Sequence, residues 1–355
     1  MFSARRPAGS GRDERPSSSG CPRNSRSSLS TSSSRVHARI WADLAVKGIS
    51  VGAHDLLIGT TALATGSRVA ILLLLACALP GCVGTTSTSS VATAGGAADP
   101  IPIAVTKPDG PGPFPAVVIV HDCSGLGVRS SGAPDRWARE LVGRGYAVLI
   151  PDSFGTRGFP NGVCTDASPG RAGVSPANRV RDAYGALAHA RTLPYVNGKR
   201  VGIMGGSHGG STTLASMLAP DGDADPLARE KRGGFVAAVA LYPSCAPGPR
   251  VWQSASGVYR PVAPLLILIG EKDDWTPAEP CQRLADAARA AGAPVAIKIY
   301  PGAHHSFDSP NPVRYVPTRI NANAPGGRGA TTGGDPAAWA DAIREVVAFF
   351  GQHLK

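Results

Sequence analysis

The chain has 355 residues, 43% hydrophobic and 17% charged, with a net charge of +11; that length holds one large α/β domain or two small ones. The charge is unevenly spread, because residues 1–68 carry ten Arg/Lys against four Asp/Glu, in stretches such as SSSGCPRNSRSSLSTSSSRVHAR that have almost nothing apolar to bury. The basic excess therefore belongs to a segment and not to a folded surface, which argues against a nucleic-acid partner, and residues 1–66 are expected to be a disordered or untranslated leader.

Residues 67–82, SRVAILLLLACALPGC, follow. Arg68 precedes an apolar run from Val69 to Leu79, shorter than the roughly 20 residues of a spanning helix and matched to the apolar core of an export signal. The run ends in Leu79-Pro80-Gly81-Cys82, which resembles the lipobox of bacterial lipoproteins and makes Cys82 the candidate for lipidation; Leu74-Leu75-Ala76-Cys77 is a second candidate cleavage point. A signal ending there is longer than the usual ~15–30 residues, so translation is expected to begin at a non-Met codon near Val46 to Leu57. The alternative for this run is a buried helix. Residues 83–100, small and polar without periodicity, read as a flexible tether.

From residue 101 short apolar runs alternate with helical stretches, giving a domain over 101–355. PAVVIVHD (115–122) and YAVLIPD (146–152) are buried-type strands, separated by a helix in DRWARELVGRG that stops at its glycines. SPANRVRDAYGALAHARTL places Val180, Tyr184 and Leu187 on one face of a helix opened by Ser175-Pro176. Further strands are expected at 199–205, 235–243, 263–270 and 295–302, and helices at about 208–219, 279–291 and 336–353. Such alternation implies a mostly parallel sheet with helices on both faces. Long Pro/Gly-rich loops at 153–174, 219–234, 244–261 and 306–334 are expected to line the site.

Gly205-Gly206-Ser207-His208-Gly209 sits between a predicted strand and a predicted helix. No Lys follows to make it a phosphate loop, and the glycine spacing is wrong for a dinucleotide fold. G-x-S-x-G in this context is a nucleophile elbow, in which Gly205 and Gly209 relieve a strained turn at Ser207. A serine hydroxyl needs a positioned base, and the base an orienting acid. GEKDDWTP and PGAHHSFD supply them in the order Ser, Asp, His, each at a strand's carboxyl end. Both contain a doublet, Asp273-Asp274 and His304-His305.

The stretches IVHDCSGLG, PDSFGTRG, GSHGG, LILIGEKDDWTP and YPGAHHSFD together resemble the dienelactone hydrolase-like branch of the α/β-hydrolases over about residues 101–353. The resemblance implies an α/β-hydrolase fold and resolves the doublets: Asp273 as the acid, with Asp274 the alternative, and His305 as the base, with His304 hydrogen-bonding locally or packing nearby. The backbone N–H of His208, after the nucleophile, is the first expected oxyanion donor; by resemblance the second is Cys123, with Asp122 in a supporting or loop-capping position. Arg157 is a candidate for meeting a substrate carboxylate, against a solvated loop arginine. The namesake enzymes carry a cysteine nucleophile where this chain has Ser207, so the expectation is a serine hydrolase of small carboxylic esters or lactones. It needs no metal or organic cofactor and meets the membrane only through its N-terminal signal or lipid anchor. The alternatives are a prolyl-oligopeptidase-like peptidase and a catalytically silent binding lipoprotein of the same fold.

Setting aside Cys21, Cys77 and Cys82 leaves four cysteines, which in an exported domain point to disulfides. Cys245 follows one strand and Cys281 opens the helix after the next, so these two should pair; Cys123 and Cys164 follow another neighbouring pair of strands. No close C-x-x-C supports zinc.

Overall fold

The computed structural model describes residues 84–94, 100–220, 222, 225–245 and 257–355. The expected leader, the expected export signal with Cys77 and Cys82, and parts of the expected tether and of the 219–234 and 244–261 loops lie outside the described residues.

Charge-free apolar runs form the middle of the main sheet: β3 (Phe114–Val120), β4 (Ala147–Pro151), β6 (Ala238–Leu241) and β7 (Leu265–Gly270) are buried over most or all of their length. Strands covered by helices on both sides lose the in/out alternation, and these have lost it. With β1 (Thr85–Val91), β2 (Ile101–Lys107), β5 (Val196–Gly206) and β8 (Val295–Tyr300) they build one eight-stranded sheet in the order β1-β2-β4-β3-β5-β6-β7-β8. From β4 to β8 every pairing is parallel, whereas β1 and β2 pair antiparallel.

Helices α1 (Ala133–Val142), α2 (Pro176–Thr192), α3 (His208–Met217), α5 (Ala278–Ala290) and α6 (Pro336–Leu354) pack on the sheet, and the short α4 (Ala228–Arg232) lies within the 219–234 connection. Helix starts follow capping chemistry: Ser175 Oγ accepts from Asn178 N–H ahead of Pro176, and the Asp335 carboxylate accepts from the N–H groups of Ala337 and Ala338 ahead of Pro336. Trp137 and Trp339 meet edge to face, joining α1 to α6. Tyr184 Oη donates to the Ser216 carbonyl, joining α2 to α3. No helix among the described residues is long and apolar enough to cross a membrane.

Two elements depart from expectation. Residues 85–91, placed in the tether by their sequence, form the edge strand β1, paired from Thr85↔Lys107 to Val91↔Ile101. Only Val91 of this strand is buried; an exposed edge strand is held by its main-chain ladder and by β-branched threonines, and needs no apolar period. The folded unit therefore begins before residue 101. The 306–334 loop, in turn, contains a second sheet of β9 (Arg314–Ile320) and β10 (Arg328–Thr332).

Both expected disulfides are formed, Cys123–Cys164 and Cys245–Cys281, closing segments separated by 41 and 36 residues. Chain-entropy arguments for loops of this size give about 4 kcal/mol for each. Replacing Cys245 and Cys281 together by alanine should lower the urea unfolding free energy by roughly that amount, and reduction of the wild type should move its midpoint in the same direction.

Candidate active site

The elbow is built by what the glycines leave out. A Cβ on Gly205 would stand 2.6 Å from the Val120 carbonyl oxygen and from the Gly209 backbone, and one on Gly209 would stand 2.0 Å from the same carbonyl oxygen. With the side chains absent, β5 and α3 close directly onto the end of β3, and Ser207 takes φ 54 and ψ −116 between them. A non-glycine residue pays strain for that conformation. Here it is held by Ser207 N–H donating to the Leu241 carbonyl and by Ser211 N–H donating to the Ser207 carbonyl.

Three chain-distant side chains converge on this turn. His305 Nε2 lies 2.9 Å from Ser207 Oγ, and His305 Nδ1 lies 2.8 Å from Asp273 Oδ2. His305 is fully buried, and Asp273 and Ser207 nearly so. The Asp273 carboxylate is itself fixed, Oδ1 accepting from the N–H groups of Trp275 and Thr276 and Oδ2 lying 2.9 Å from Thr276 Oγ1. Rings enclose the imidazole: Tyr242 lies edge-on with centroids 4.9 Å apart and Trp275 at 4.7 Å. The order Nδ1–H to carboxylate, Nε2 to hydroxyl leaves the imidazole poised to accept the serine proton.

The doublet partners do other work. Asp274 accepts from both the N–H and the hydroxyl of Thr331, tying the acid loop to β10. The His304 Nδ1 atom is buried without a hydrogen-bond partner. The second sheet also braces the base, since the Gly333 N–H and the Thr332 hydroxyl both donate to the His305 carbonyl.

Cys123 and His208, the expected oxyanion donors, line the same cavity of about 520 Å³ as Ser207. The Cys123 loop is clamped by its disulfide and by Val163 N–H donating to the Cys123 carbonyl. Asp122 caps that loop: its carboxylate accepts from the N–H and hydroxyl of Ser124 and from the hydroxyl of Ser131. Arg157 is not the solvated loop arginine of the expectation: it makes a two-pronged pair with the buried Asp182 at 2.6 and 2.7 Å and donates to the Ser153 carbonyl. Its guanidinium is consumed in joining the 153–174 loop to α2.

Sequence reasoning missed Thr276, Tyr242 and Arg179. Thr276 was within the quoted acid motif, three residues after Asp273, where its N–H and hydroxyl can turn back on the carboxylate. Arg179 precedes Val180 on the buried face of α2 and is fully buried, and nothing in periodicity distinguishes such an arginine from a solvated one.

Two further imidazoles lie near the elbow, His121 fully buried and His208 half-buried. His121 places Nδ1 2.9 Å from the Asp122 carbonyl, so Nδ1 carries the proton, and its Nε2 accepts from Ser153 N–H. Burial, reinforced by the Arg179 charge, holds His121 well below the usual histidine range, and burial with Arg179 and Arg171 does the same to His208. Both are therefore neutral in the fold and take up protons when it opens. Stability should be fully present above the ordinary histidine range and fall as pH drops below about 6.5, by up to ~1.4 kcal/mol per pH unit for each ring. Urea unfolding at pH 7.5 and 5.5 measures this, with a shallower dependence expected for His121→Gln.

A sheet of this order with a strained serine between β5 and α3, and an acid and a histidine after the ends of β7 and β8, defines an α/β-hydrolase. The chain belongs to the dienelactone hydrolase family, whose model matches residues 101–354. It is a hydrolase of ester bonds. A Yersinia pestis protein described as a "Putative carboxymethylenebutenolidase" is 27% identical over 218 residues, covering 59% of this chain and 75% of its own. Among solved structures, the dienelactone hydrolase-like promiscuous phosphotriesterase P91 from metagenomic libraries superposes with a TM-score of 0.53 at 20% identity, covering 77% of this chain and all of its own. Esterase 2 of Thermogutta terrifontis gives 0.51 at 17%, covering 76% and 91%. At these identities the structural likenesses speak for the fold.

Proposed function

We propose that the protein is a serine hydrolase of small carboxylic esters or lactones that works through an acyl-enzyme. Ser207 Oγ attacks the carbonyl carbon while His305 Nε2 takes its proton; Asp273 holds the ring and balances the imidazolium that forms. The backbone N–H groups of His208 and Cys123 receive the developing oxyanion, with the start of α3 adding its positive end. His305 then returns the proton to the leaving alcohol, and water repeats the cycle on the acyl-serine. The observation that carries this reading is the continuous Asp273–His305–Ser207 chain, 2.8 and 2.9 Å long at its two links, ending on a serine held at φ 54.

A fluorophosphonate probe tests it. The wild type should be labelled at one site and Ser207→Ala should not be; a silent binding protein of the same fold would give no labelling in either. Paraoxon, which phosphorylates Thermogutta terrifontis esterase 2, should inactivate the wild type by phosphorylating Ser207 with release of 4-nitrophenolate. A panel of aryl esters, lactones and peptide amides then ranks the substrate classes, and preferential cleavage of amides would favour a peptidase instead.

The same reading includes export. The two disulfides favour an oxidising compartment, and we assign the segment before the domain as a signal with Cys82 as its lipid-anchor site. Metabolic labelling with a clickable palmitate, lost in Cys82→Ala, checks that assignment.

A further inference from the structure

His208 contributes more than a backbone N–H. Its ring is half-exposed beside Ser207, in the wall of the same cavity, and its Nδ1 lies 2.8 Å from Nη1 of Arg179. Arg179 is fully buried, with Nη2 donating to the His121 carbonyl and the guanidinium 4.8 Å from the centroid of Phe154. The Phe154 ring also meets His208 edge-on, at 5.6 Å. An arginine has no acceptor, so the short contact has one polarity: Arg179 donates and His208 Nδ1 accepts. The imidazole proton must then sit on Nε2, the ring nitrogen with no hydrogen-bond partner among the described residues, at the edge of the ring away from the buried guanidinium.

We propose that Arg179 fixes His208 as an Nε2–H donor facing the cavity beside Ser207, and that this donor selects acyl groups carrying an ether, hydroxyl or carbonyl oxygen close to the scissile carbonyl. The proposal rests on Ser207 being the nucleophile. In it His208 acts on substrate through its side chain, and Arg179 is a positioning residue. Protonating the ring would set an Nδ1–H against the arginine N–H, which keeps His208 neutral. The charged groups acting on the ring are Arg179 from α2 and Arg171 from the 153–174 loop, both cations, and His121 at the end of β3 is itself held neutral. A neutral, single-tautomer imidazole offers a donor of fixed direction, and a site built to donate discriminates strongly against analogues that lack the acceptor.

Two measurements test it. In long-range ¹H–¹⁵N spectra, with His208 assigned by its loss in His208→Gln, the wild-type ring should show the Nε2–H pattern and stay neutral well below the ordinary histidine range. In Arg179→Met it should become a tautomer mixture, and its titration should move up from the wild-type position while burial still holds it below the ordinary histidine range. An Nδ1–H pattern, or ordinary titration in the wild type, overturns the positioning role. The second measurement compares 4-nitrophenyl methoxyacetate with 4-nitrophenyl butyrate, acyl groups of equal length that differ by one ether oxygen. Relative to their rates with hydroxide, the kcat/KM ratio should fall about five- to ten-fold in His208→Phe, the loss of one neutral hydrogen bond, and should be partly restored in His208→Gln. An unchanged ratio in His208→Phe overturns the substrate role. Hydrolysis of neither ester by the wild type overturns the esterase reading and the substrate role with it, while the spectra decide the tautomer independently.

Discussion

Ser207→Ala should lower kcat for an activated ester by about 10⁴- to 10⁶-fold, and His305→Ala by a similar factor, with the double variant little worse than either single one. Residues that act as a unit fail as a unit, because a hydroxyl without its base is as inert as a base without its hydroxyl. Neither change should unfold the protein. Removing the Ser207 hydroxyl deletes one hydrogen bond to His305, and the turn itself is held by backbone contacts to Leu241 and Ser211. Steady-state kinetics beside thermal unfolding separates the two effects: a loss of activity that tracks a loss of folded protein would speak against a chemical role.

Asp273→Asn and Asp274→Asn should behave as different kinds of variant although the residues are adjacent. The first replaces the acceptor that holds His305 Nδ1–H, and the amide invites the wrong tautomer, so a fall in kcat of about 10⁴-fold is expected. The second weakens the pair of bonds that Asp274 makes to Thr331. Its cost should appear mainly as stability, about 1–2 kcal/mol, with activity retained within ten-fold because Thr332 and Gly333 brace His305 at its main-chain carbonyl and leave the imidazole untouched. A reversal of these two outcomes would move the acid to Asp274.

The fold was legible where burial on both faces forces an unmistakable composition. LLILIG and AVLIP are strands because little else buries such runs between helices, and the wholly buried β4 and β7 are where the sequence places them. β1 and the β9/β10 pair were not legible, since their stability comes from partners distant in sequence. Thr85–Val91 has one buried residue, and β9 keeps Tyr315 exposed while its end is tied down by Trp275 Nε1–H donating to the Ile320 carbonyl. Within the site, the order of a serine, an acid and a histidine could be read from the mechanism, whereas the choice of Asp273 and His305 within their doublets came from the resemblance. Those that act by position were hidden: an arginine in PANRVRD carries no sign that it will lie under the elbow against His208. Arg157 shows the converse, a loop arginine whose partner, Asp182, lies across a tertiary contact.

The most direct test is to quench the enzyme during turnover of a 4-nitrophenyl ester and map the acylated peptide by mass spectrometry. Ser207 lies in the tryptic peptide Val201–Arg229 together with Ser211 and Ser216, so fragmentation must place the acyl group. A single adduct on Ser207 is expected, formed in the wild type and absent from His305→Ala; an adduct on another residue, or sustained turnover by Ser207→Ala, would rule out Ser207 as the nucleophile.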